Sequence, residues 1–155
     1  MSESSAATAS SPRKKKAAPA PQSVNHTEYA PLTTSPITVS IETKKPGGSE
    51  DEANAQLAVW VSAHFLRLQQ LLVDRPVNIT LPLLYVSGST WQVLYAINKG
   101  NNIEILRSTR FDGATSTILG CYKVVAVLRA LRAWSETVFR EWFLDAFVPE
   151  RRKAS

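Results

Sequence analysis

The stretch PITVSIETKK, Pro36 to Lys45, decides how the rest of the chain is read. Ile37, Val39 and Ile41 alternate with Thr38, Ser40 and Glu42, a period of two that puts the apolar residues on one face of a β-strand. The polar face ends in opposite charges. At about 3.3 Å per residue, Glu42 and Lys44 lie on the same side of the strand, roughly 6 to 7 Å apart along it. Such a pair is either a solvated strand end or a unit of chemistry. A carboxylate at the end of a strand can hold a hard divalent cation, and a lysine beside it can position or deprotonate an attacking water and offset phosphate charge.

Immediately downstream, KPGGS punctuates the strand with one proline and two glycines. Ser49 followed by Glu52 forms a capping box, and Glu50 and Asp51 suit the positive end of a helix. Ala53, Leu57, Trp60, Val61, His64, Phe65, Leu68, Leu71 and Leu72 then recur at helical spacing, which predicts a helix to about Val73, where DRP stops it. Gln56 and Trp60 sit at one edge of its apolar arc, so Gln56 can reach back toward the strand end. Three strand-like runs follow, ITLPLLYVS, TWQVLYAI and IEILRST, separated by SGS and NKGNN. The last two form a hairpin. From about Thr117 a second long helix runs toward Phe147, with Val124, Val127, Leu128, Leu131, Trp134, Val138 and Trp142 in one apolar arc and Arg129, Arg132, Glu136 and Arg140 opposite. The order strand, helix, three strands, helix predicts an α/β (α+β) layer fold in which helices cover a mixed sheet. No internal repeat is visible.

Upstream, Met1 to about Gln22 is Ser, Ala, Pro and Lys without aromatic residues or apolar period, a composition that cannot offset the entropy of ordering. The domain division is therefore 1–23, a disordered basic tail; 24–148, the folded domain; and 149–155, a basic C-terminal tail. Arg13 to Lys16 fits a short nuclear-import signal or a nonspecific polyanion contact. The 155 residues, 44% of them hydrophobic, suffice for one domain with a core. The net charge of +5 is compatible with a polyanionic partner, though part of the excess lies at the two ends. Cys121 stands alone, which excludes an internal disulfide, favours an intracellular location and is read as a buried inert thiol. No run approaches the roughly 20 apolar residues of a membrane span, so no membrane partner is expected.

The remaining chemistry-bearing residues have structural readings. His64 lies on the apolar arc of its helix and reads as a hydrogen-bonded core residue, while His26 has no partner at metal-ligand spacing. Trp60, Trp134 and Trp142 fall on core arcs, and Trp91 opens a strand. Asp112 in FDGAT reads as a turn residue.

Taken together, SVNHTEYAPL, SIETKKPG, AQLAVW, GSTWQVLYAI and TSTILGCYKVVAVLRALRAW resemble the PD-(D/E)XK nuclease-like domain found in many fungal proteins. The resemblance implies a restriction-endonuclease-like mixed sheet flanked by helices, metal-dependent hydrolysis of nucleic acid, DNA or RNA, and Mg²⁺ or Mn²⁺ as cofactor. It also implies catalytic roles. Glu42 would bind the metal, Lys44 would assist the nucleophilic water, and Gln56, in an arrangement similar to Q-x-x-x-Y with Trp60 in place of Tyr, would orient substrate or water; Lys44 and Lys45 would meet the nucleic acid. One part of the family pattern is missing. Its second carboxylate, an Asp on the strand before E-x-K, has no counterpart, because no Asp precedes Asp51 and only Glu3 and Glu28 precede Glu42. The family's first helix and the strand after it are replaced by the tail, so the chain resembles an N-terminally truncated member.

One carboxylate holds a divalent ion weakly, and hydrolysis needs ion and phosphate fixed together, which predicts reduced or lost catalysis. A noncatalytic module that binds nucleic acid or protein on the same scaffold is the alternative function. A lost strand also leaves an exposed sheet edge, through which the chain could form a homo-oligomer.

Overall fold

The computed structural model describes residues 23–72 and 75–147. Both expected tails, with the basic run Arg13 to Lys16, fall outside the described residues, apart from Ser23 at the inner end of the first. The elements are a short 3₁₀ turn Ala30–Leu32, β1 Ser40–Lys44, α1 Glu50–Leu71, β2 Thr80–Ser87, β3 Thr90–Asn98, β4 Ile103–Ala114, α2 Ile118–Trp134, a π-helical turn Ser135–Phe139 and α3 Arg140–Phe147. The expected order of strand, helix, three strands and helix is present. Sheet order is β1-β2-β3-β4, with β1 parallel to β2 and the other pairs antiparallel. The sheet is therefore mixed, and β1-α1-β2 is its βαβ crossover.

Alternation and helical period meet in one core. Ala53, Leu57, Val61, Phe65 and Leu68 of α1 pack on Leu81, Leu83 and Tyr85 of β2 and on Leu94 and Ala96 of β3. Phe139 and Ala146 close its end, with Trp134, Trp142 and Phe143 partly buried against them. On the opposite sheet face Leu84 and Val93 are buried, as is Val124 of α2. No helix among the described residues is long and apolar enough to cross a membrane.

Several local expectations are corrected. The strand predicted from Pro36 begins only at Ser40, because Asn25 competes for the upstream backbone. Its Oδ1 accepts from Ile37 N–H at 2.8 Å while its Nδ2 donates to the carbonyls of Leu32 and Ser35. β4 runs past the expected end through Asp112, which pairs with Gln92 in the ladder and does not make a turn; a register shift between Gln92 and Leu94 absorbs the extra residues. Leu128 and Val138, assigned to the apolar arc, are 39% and 53% exposed. The buried stripe of α2 is narrower, centred on Gly120 and Val124. The π turn then re-aims the chain so that Phe139 points inward. Cys121 is exposed, one position away from that stripe, and Sγ contacts the Thr115 carbonyl at 3.5 Å. Trp60 is 45% exposed and does not belong to the core.

Candidate functional site

β1 ends at Lys44, and the tight connection through Pro46 and Gly47 returns the chain to Ser49. Gly47 has φ +77°, a conformation that side chains with a Cβ rarely adopt. Ser49 caps α1 by accepting from Glu52 N–H at 3.2 Å. The strand end and the first turns of α1 are thus held side by side.

Four side chains converge there. Lys44 Nζ donates to Gln56 Oε1 at 2.8 Å and lies 3.6 Å from Glu42 Oε1 and 3.3 Å from Glu52 Oε1. Gln56 Nε2 in turn donates to Glu52 Oε1 at 3.5 Å. The Lys44 and Glu42 side chains are 16% and 26% exposed, Glu52 is 61% exposed, and Lys45 beside them is exposed. Glu42, Lys44 and Gln56, three residues singled out by spacing, are brought together in one cluster.

Glu52 is the residue that sequence reasoning assigned elsewhere. As the last member of a capping box its carboxylate should turn back to the Ser49 backbone. Only half of that motif forms: the Ser49 hydroxyl caps Glu52 N–H, while the Glu52 carboxylate turns to Lys44 and Gln56. The available signal was its position one helical turn before Gln56, on the same face. Glu28 lies in the loop preceding the 3₁₀ turn and is exposed.

The cluster borders a groove of about 890 Å³ whose walls include Val39, Ile41, Val59 and Trp60. Further along α1, the ring of His26 meets Trp60 edge-on at 4.2 Å and lies 5.2 Å from that of His64. Both nitrogens of His26 and Nε2 of His64 are buried without a hydrogen-bond partner among the described residues, so His64 is a core residue as expected but not a fully bonded one. Burial lowers the pKa of His26; burial, and then repulsion from His26, lowers that of His64 to about 4. No group of three His, Cys, Asp or Glu side chains placed to hold a metal exists among the described residues.

The arrangement offers two carboxylates and an amide to a hard cation, and an ammonium to an anion. A hard divalent cation that uses one or two carboxylates and retains waters would draw its ligands from Glu42 and Glu52. Compared with known proteins, the chain matches the sequence model of the PD-(D/E)XK nuclease superfamily over residues 1–140. No curated protein and no solved structure matches it.

Proposed function

Because the chain belongs to the PD-(D/E)XK nuclease superfamily, we propose that the Glu42, Lys44 and Gln56 cluster is a metal-dependent phosphodiesterase site acting slowly on nucleic acid. The observation that carries this is the convergence on Lys44 of a strand carboxylate, a helix carboxylate and a helix amide. Glu42 and Glu52 would hold Mg²⁺ or Mn²⁺, which when bound supplies Lewis acidity at the phosphate. Lys44 would offset phosphate charge and position the attacking water by donating a hydrogen bond to its oxygen. Gln56 orients that water or a phosphate oxygen through its amide, and exposed Lys45 adds an electrostatic contact to the backbone of DNA or RNA.

The rate is low because the second acid comes from an exposed helix position instead of a neighbouring strand, so the ion is held loosely. Arg13 to Lys16 would serve as a nuclear-import signal or as a further polyanion contact.

One observation favours binding without catalysis on the same scaffold. Lys44 already bridges Glu42, Glu52 and Gln56, so the cluster needs no ion to persist. The two readings separate in one experiment: labelled single- and double-stranded DNA and RNA are incubated with Mg²⁺ or Mn²⁺ and the parent, Glu42→Ala or Lys44→Ala chain. Slow cleavage by the parent, lost in both variants, is the expected result. Absence of cleavage, with binding that weakens steeply in salt and survives Glu42→Ala, establishes the second reading.

A further inference from the structure

Among the described residues β1 closes one side of the sheet and pairs with β2 alone. In a parallel pair, the N–H and C=O of one residue face the same neighbour, and successive residues alternate. Gly88 N–H donates to the Lys44 carbonyl at 3.2 Å, so Ser40, Glu42 and Lys44 face β2. Ile41 and Thr43 therefore turn their backbone groups outward, and neither meets a backbone partner among the described residues. No proline or bulge blunts the strand between Ser40 and Lys44. An edge of this kind is a template for another strand.

Alongside it runs the groove of about 890 Å³, with Ile41, Val59 and Trp60 54%, 72% and 45% exposed. An apolar wall beside open backbone groups suits a second strand that brings its own apolar cover.

We infer that this strand is β1 of a second copy, docked antiparallel about a two-fold axis through Thr43. Such an axis opposes only residues of the same parity, so Glu42 can face Ser40, Glu42 or Lys44 of the second copy. The first sets Glu42 against a neutral hydroxyl and adds no charge pair across the seam, and the second opposes two carboxylates. Only the axis through Thr43 sets Glu42 against Lys44 of the second copy, and it does so twice. In that register the outward Thr43 groups exchange both hydrogen bonds, and Glu42 and Lys44 fall in the adjacent non-hydrogen-bonded pair, where side chains come closest. Parity also keeps both α1 helices on one face of the joined sheet, with Val59 and Trp60 of each beside the seam. Each cluster gains Lys44 of the second copy.

The inference rests on the strand edge and its charge pattern, independent of catalysis. Molecular mass measured by sedimentation without metal or nucleic acid therefore tests it separately from the nuclease reading. The parent chain should move from monomer toward dimer as its concentration rises to about 100 µM. Glu42→Lys and Lys44→Glu, each folded by circular dichroism, should remain monomeric, whereas their equimolar mixture restores complementary pairs and should dimerise. Thr43→Pro, which removes only an outward N–H, should also be monomeric. A parent that stays monomeric at every concentration overturns the inference, as do folded single variants that dimerise like the parent or a mixture that does not associate.

Discussion

Lys44 touches a carboxylate from its own strand, a carboxylate from α1 and the amide of Gln56. Ion pairs in which one member is well exposed stabilise a fold by only about 0–1 kcal/mol. Only the Glu52 partner is well exposed, and Glu42, 26% exposed, loses its cation as well, so Lys44→Ala should lower stability by about 1–2 kcal/mol, leaving a chain folded by circular dichroism in which cleavage is lost. The buried imidazoles behave in the opposite way. The folded-state pKa of His64 is about 4, below the ordinary value of 6.5, so the unfolded chain binds the proton more readily. Stability from His64 is thus complete above pH 6.5 and is lost as pH falls toward 4, by about 2 kcal/mol at pH 5. Urea unfolding at pH 7 and pH 5 measures this, and His64→Leu should flatten the difference. The juxtaposition of Glu42, Lys44 and Gln56 was legible in the sequence because a strand period and one helical turn fix their faces. Glu52 was hidden by its equally good use as a cap, and the contact of His26 with His64 was hidden because it depends on how the loop crosses α1.

At the scale of elements, α2 meets the end of β4 through one glycine. A Cβ on Gly120 would lie 1.7 Å from the Ala114 carbonyl oxygen, a backbone atom that cannot swing aside. Gly120→Ala should destabilise the fold by about 1–3 kcal/mol or more through overpacking. Unfolding within about 0.5 kcal/mol of the parent, the usual range for inert surface changes, would mean that α2 docks differently. The type and order of the elements followed from period alone, whereas several of their ends did not. Asn25 takes the Ile37 N–H that would extend β1; the register shift opposite Gln92 lengthens β4; the π turn lets Phe139 reach the core while Val138 stays in solvent. Each is a side-chain or packing choice that competes with local pattern.

For the molecule as a whole, the C-terminal segment is what closes the core beneath the sheet. Phe139 is 1% exposed and stacks near Trp134, Trp142 and Phe143. Phe139→Ala should cost about 3–5 kcal/mol, read from chemical denaturation; a cost under about 1 kcal/mol would show that the segment is not integral. At the other side of the sheet, β1 is both the edge strand among the described residues and the carrier of Glu42 and Lys44. A mixed sheet covered by helices was readable from the order of the elements; the parallel pairing of β1 with β2 was not, and it is the structure that shows it. The position of β1 at the edge of the described sheet was not readable from its own alternation, which edge and inner strands share.

The proposed site requires that this strand end hold a divalent cation. The most direct measurement is Mn²⁺ binding, followed by the electron paramagnetic resonance signal of the free ion, for the parent, Glu42→Ala and Glu52→Ala chains. One weak site in the parent, lost in Glu42→Ala and weakened in Glu52→Ala, is the predicted result; Mn²⁺ binding that is unchanged by Glu42→Ala, or absent from the parent, would contradict it.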